Sequence, residues 1–187
     1  MHTISLRSAQ GRYGHVAVVI PDTRQMWTFG GRQEAGVCSD EVHIWTFDTA
    51  SWELKSMDRE IYRVPAPRFG SSACFAPNEG QLGSIILFGG RDGTNNFGDL
   101  WIYDLSSSSW SDPVCIGIPP APRHGHTLVS VDDEKIMILG GCCVSPFSET
   151  GIPDNIDELD DALGAASKRV AECYELEKVS DRSEPAL

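Results

Sequence analysis

The 187-residue chain lacks long hydrophobic runs, is poor in bases and has no paired-cysteine spacing. Its longest apolar run, around Ile85–Phe88, has the length of a strand, far short of the ~18 residues of a membrane helix. Met1 to Tyr13 holds no apolar stretch of the secretory-leader kind, so secretion is not expected. Lys and Arg number 15 against 27 Asp and Glu, a net charge of −12. Such a chain repels phosphate backbones, which argues against general nucleic-acid binding. The six cysteines (Cys38, Cys74, Cys115, Cys142, Cys143, Cys173) form no C-x-x-C pair, and no Asn-x-Ser/Thr acceptor occurs. Both absences point to reduced thiols in the cytoplasm or nucleus. Cys74 lies in an apolar run and reads as a small hydrophobe, and Cys142-Cys143 reads as two ordinary thiols at a strand end. There is no Ser-His-Asp order, no phosphate loop, no His-x-x-x-His pair and no supported carboxylate pair. No catalytic residue, metal or cofactor is therefore expected.

The chain is 41% hydrophobic, enough for a packed core. Charge is unevenly placed. Residues 1–141 hold 16 acids and 11 bases, net −5, while residues 142–187 hold 11 acids and 4 bases, net −7. That break separates two regions with different roles.

One phrase is written three times: Gly11-Arg12-Tyr13-Gly14-His15, Pro67-Arg68-Phe69-Gly70-Ser71 and Pro122-Arg123-His124-Gly125-His126. Its arginines are 56 and 55 residues apart. An apolar run ending in a glycine pair follows each: Gly30-Gly31, Gly89-Gly90 and Gly140-Gly141. A third phrase joins an aromatic-Asp pair to a Trp, as Phe47-Asp48 with Trp52 and Tyr103-Asp104 with Trp110, the two tryptophans 58 residues apart. Three elements in one order at one period mark a repeat. Each unit reads as four short strands separated by turn chemistry such as Pro77-Asn78-Glu79-Gly80 and Arg91-Asp92-Gly93-Thr94. Four-stranded antiparallel units at this period are propeller blades. The glycine pairs free the backbone of Cβ atoms where blades crowd. Trp52 and Trp110 supply buried area between sheets.

With those phrases in place, the chain resembles the kelch-repeat family over residues 11–141, with two full copies and half of a third. The resemblance implies an all-β chain, a kelch-type β-propeller segment of about three four-stranded antiparallel blades in an incomplete ring. The repeats are expected at 11–64, 65–119 and a degenerate 120–187. The third lacks its Trp and delays its third strand to Val170–Leu176. An acidic insertion, 144–168, intervenes. Ile156, Leu159, Leu163, Ala166 and Val170 follow helical spacing there. It reads as a solvated helix in a long loop, or as an acidic motif docking on a partner or on this chain's own arginines.

Strand parity puts the loop before strand one and the loop between strands two and three on one face. That face gathers Arg12, Arg32, Arg68, Arg91 and Arg123, with Asp92, Asn95 and Asn96 beside them. These are the candidate partner-binding residues. The competing reading for Arg12, Arg68 and Arg123 is that they brace the turn. His15 and His126 belong to the repeat phrase and need no catalytic role. The expected function is a non-catalytic interaction module, scaffold or adaptor. Its partner would be another protein or an acidic peptide segment, with self-association or completion of the propeller by another segment as a further expectation. The alternative is a propeller segment that positions or regulates a catalytic domain of a larger enzyme.

Overall fold

The computed structural model describes residues 11–55, 62–78, 80–115, 118–131 and 135–143, and the backbone of 172–175. Every regular element among them is a strand. β1 (Arg12–Tyr13), β2 (Val16–Ile20), β3 (Gln25–Phe29), β4 (Arg32–Gln33), β5 (Val42–Thr46) and β6 (Ser51–Lys55) form the first unit. β7 (Ser72–Ala76), β8 (Ser84–Phe88), β9 (Leu100–Asp104) and β10 (Ser109–Ser111) form the second. β11 (Thr127–Ser130), β12 (Lys135–Leu139) and β13 (Glu172–Glu175) form the third. Strand order is β2-β3-β5-β6, β10-β9-β8-β7 and β11-β12-β13, all antiparallel. The chain is therefore all-β, built of sheets stacked as propeller blades. The expected helix in the insertion lies outside the described residues.

Burial explains the strand sequences. The second blade is covered on both faces, and all five residues of β8 are buried. A strand covered twice reads as a continuous apolar run, here Ile85-Ile86-Leu87-Phe88. Among the described residues the first blade is covered by a neighbouring blade on one face, and β2 alternates along Val16–Ile20. One core joins Trp27, Phe29, Val42 and Ile44 of the first blade to Ile85, Leu87, Tyr103 and Trp110 of the second. A smaller one joins Cys74, Ile86 and Phe88 to Leu128, Ile136 and Ile138. Cys74 behaves as the small hydrophobe its sequence suggests, and burial pushes its thiol pKa up to about 12.

The glycine pairs end the second strands, and their spacing has a close-range cause. A Cβ on Gly30 would lie 2.6 Å from the Arg68 carbonyl oxygen, and one on Gly89 would lie 2.6 Å from that of Arg123. The following glycine donates to the same oxygen: Gly31 N–H to Arg68 O and Gly90 N–H to Arg123 O, both at 2.8 Å. The doublet is thus the socket in which the next blade's first turn is held. A second row runs through the middle glycines of the opening phrase. Gly70 N–H donates to Gly14 O at 2.7 Å, and Gly125 N–H donates to Gly70 O at 2.8 Å. Main-chain bonds therefore step from blade to blade and fix the three opening phrases side by side.

Candidate partner-binding face

The two loops that parity assigns to one face are hydrogen-bonded to each other. Tyr13 pairs with Arg32, Phe69 with Arg91, and His124 with Cys142. Directly opposed residues on antiparallel segments project to the same side. Each blade therefore offers one residue of its opening phrase beside the residue that follows its glycine pair.

The opening arginines turn inward. Arg12 donates to Gly30 O (3.2 Å), Ser39 Oγ (3.0 Å) and Glu41 Oε2 (2.9 Å). Arg68 donates to Ala66 O and Gly89 O and makes a two-pronged pair with Asp99 at 2.6 and 2.8 Å. Its guanidinium also lies 4.0 Å from the Phe97 ring centroid. Arg123 repeats the carbonyl contacts, to Ala121 O and Gly140 O. Arg68 and Arg123 are each 1% exposed. In all three units the guanidinium satisfies the carbonyl of the first glycine in its own doublet, a group otherwise left over at a strand end. Burial works to raise the Asp99 pKa, but the bonds and charge of Arg68, with the Trp101 indole, hold it below the usual carboxylate range. Glu41 is lowered in the same way, against burial, by Arg12 and Ser39. These three arginines do the bracing that their place before strand one allowed.

Arg32 and Arg91 stand differently. Both sit beside the Phe69 ring, at 5.5 and 5.7 Å from its centroid, and Tyr13 meets the same ring edge-on at 6.0 Å. Arg32 Nε donates to Gly36 O at 3.0 Å, and Arg91 Nη2 donates to Gly93 O at 2.7 Å. Neither makes an ion pair among the described residues. Arg91 is 8% exposed, and its Nε has no hydrogen-bond partner among the described residues. Tyr13 is 57% exposed. The result is one half-buried and one buried guanidinium beside a half-buried aromatic ring, neither opposed by a carboxylate among the described residues, a chemistry that suits a carboxylate next to an apolar side chain.

Asp92 and Asn95 are exposed, and they shape the loop beside Arg91. Asp92 Oδ1 accepts from the N–H groups of Thr94 and Asn95, each at 2.7 Å. The Asn95 N–H and then that of Thr94 stabilise the anion and lower its pKa. Asn96 reaches the next blade. Its Nδ2 donates to Cys142 O at 3.5 Å, and its Oδ1 meets His124 Nδ1 at 2.9 Å. In the preceding blade Cys38 makes the corresponding step, Sγ to Asp92 O at 3.3 Å. Sequence reasoning missed Tyr13, Phe69, His124 and Cys142. Their signal was the column formed by the residue after each opening arginine, set beside the residue after each doublet. The acidic insertion 144–168 lies outside the described residues, as does any docking of it on this face.

Residues 2–156 match the KLHDC2/KLHL20/DRC7 Kelch-repeats domain. The chain is 32% identical over 149 residues to the human Rab9 effector protein with kelch motifs, covering 73% of this chain and 35% of that protein. It is 30% identical over 140 residues to F-box/kelch-repeat protein At1g51550 of Arabidopsis thaliana, covering 70% and 28%. It is 30% identical over 125 residues to Acyl-CoA-binding domain-containing protein 4 of the same plant, covering 65% and 17%. The chain thus spans about a third or less of the length of these relatives.

Proposed function

The chain belongs to the kelch-repeat family, and from that premise we propose that it is a non-catalytic protein-interaction module whose partner presents an acidic peptide segment. The observation that carries the reading is the Arg32–Phe69–Arg91 cluster, with two guanidinium groups beside one ring and no carboxylate opposite either among the described residues. A folded protein normally spends an arginine so placed on an internal acid, as Arg12 and Arg68 do here. Leaving two unpaired raises the local potential for anions. Tyr13 adds apolar surface with a polar tip, a composition typical of interaction surfaces. The relative named as a Rab9 effector points, by that name, to a protein partner for that protein. A scaffold or adaptor role for this chain follows by similarity.

The test is fluorescence anisotropy of a fluorescein-labelled peptide carrying two glutamates, titrated with the 187-residue chain. Arg32→Ala and Arg91→Ala should each weaken binding about tenfold, the worth of one charged hydrogen bond. Raising salt toward ~0.5 M should weaken wild-type binding further. Affinity unchanged in both variants would overturn the reading.

A further inference from the structure

The third blade breaks the pattern of the face at one position. The residue that follows the glycine pair is Arg32 in the first unit, Arg91 in the second and Cys142 in the third. All three occupy the same place in the fold, each paired with the residue after its opening arginine. Across from Cys142 the aromatic plate is also replaced: Tyr13 and Phe69 give way to His124. Backbone bonds hold that pair in register, His124 N–H to Cys142 O at 3.1 Å and Cys142 N–H to His124 O at 2.8 Å.

The neighbouring blade sets the chemistry of the imidazole. Asn96 turns its Nδ2 toward Cys142 O and its Oδ1 toward His124 Nδ1. An amide oxygen only accepts, so the ring proton sits on Nδ1 and Nε2 carries the lone pair. Burial, and then the nearby Arg91 charge, opposes a second proton on this ring, and His124 titrates below the ordinary histidine range. Nε2 has no partner among the described residues and is not sealed from solvent. Two blades thus present a cation, and the third presents a neutral acceptor.

We infer that His124, positioned by Asn96 and Cys142, is a specificity-determining residue that selects a hydrogen-bond donor, such as a hydroxyl or amide, beside two carboxylates in the bound segment. A third carboxylate there would meet a lone pair instead of a guanidinium. This deepens the acidic-peptide reading and rests on it.

The probes are labelled peptides with two glutamates flanked on both sides by serine, or on both sides by glutamate, titrated with the 187-residue chain. Wild type should prefer the serine peptide about 3- to 10-fold, the range of one neutral hydrogen bond. Cys142→Arg restores the cation of the other two blades and should reverse the preference. Cys142→Ala, without charge or thiol, should keep it. His124→Ala should abolish the preference while affinity for the two glutamates stays within about twofold, and His124→Gln, which retains an acceptor, should keep part of it. Equal binding of the two peptides by wild type, or an undiminished serine preference in Cys142→Arg, would overturn the inference while the cationic face stands. Loss of sensitivity to Arg32→Ala and Arg91→Ala would instead remove the face itself.

Discussion

A glycine at residue scale does two separable jobs in this fold. Gly89 has φ +64, and a Cβ there would strike the Arg123 carbonyl at 2.6 Å and the His126 ring at 2.9 Å. Gly125 has nearly the same φ, +66, with nothing within 4 Å of a Cβ. Left-handed backbone alone costs a β-carbon about 1–2 kcal/mol. Gly125→Ala should therefore cost about 1–2 kcal/mol in urea denaturation, and Gly89→Ala about 3 kcal/mol or more, because a blade-to-blade socket must also shift. Equal losses would show that conformation, and not the approach of the next blade, dictates the doublet. The arginines make a parallel point about what sequence conveys. The spacing of Arg12, Arg68 and Arg123 was plain, but their direction was not. What turns them inward is an acid that arrives late in the chain and changes type, Glu41 for Arg12 and Asp99 for Arg68. A pattern tied to residue identity does not align Glu with Asp.

At the scale of the strand, the tryptophans and not the aspartates keep the register. Trp52 lies opposite Trp45, and Trp110 lies opposite Tyr103. Each follows a left-handed residue two positions earlier, Ala50 (φ 47) and Ser108 (φ 53). The aromatic-Asp phrase suggested matching Asp48 with Asp104, and the sheets place Thr46 there instead. Asp104 Oδ1 accepts from Ser107 N–H at 2.6 Å, closing its turn, whereas Asp48 pairs with Arg24 on the surface. A short motif slid by two residues because aromatic-Asp occurs in both turns, while the backbone bends at fixed distance from the Trp. Equivalent position does not mean equivalent burial. Trp110 packs at 5.8 Å from Trp27 and 5.1 Å from both Phe29 and Tyr103. Trp52 meets Trp45 and His43 and stays half-buried. Truncating a large buried aromatic costs about 3–5 kcal/mol, so Trp110→Ala should cost about 4 kcal/mol. Trp52→Ala should cost less than half as much in the same measurement. The reverse order would place the main core on the other side of the first blade.

The behaviour of the whole molecule with pH follows from where its histidines lie. His126 is buried against the Gly141 backbone, and its ring lies across the Phe88 ring at 5.4 Å. Burial, reinforced by the Arg123 charge, drives its pKa down to about 4. Burial likewise lowers His43, with Arg12 adding to it, and lowers His124, with Arg91 adding to it. Between an ordinary value near ~6.5 and the folded value, the unfolded chain holds protons that the folded chain refuses. Stability is then fully present above the ordinary value and falls as pH drops through the window toward about 4, the His126 value. Asp99 and Glu41, lowered by their arginines, continue the loss at still lower pH. The opposing effect is general charge. A chain of net −12 repels itself less as acid is added, which favours the compact state. Buried, specific sites outweigh diffuse surface charge at ordinary ionic strength, where exposed charges are screened within about 8 Å. The expected result is a urea midpoint that is flat above about pH 7 and falls steadily to pH 4.5, with a His126 contribution of about 1–3 kcal/mol. His126→Gln should lower stability at neutral pH and flatten that acid limb. A variant as acid-sensitive as wild type would assign the limb to the other histidines.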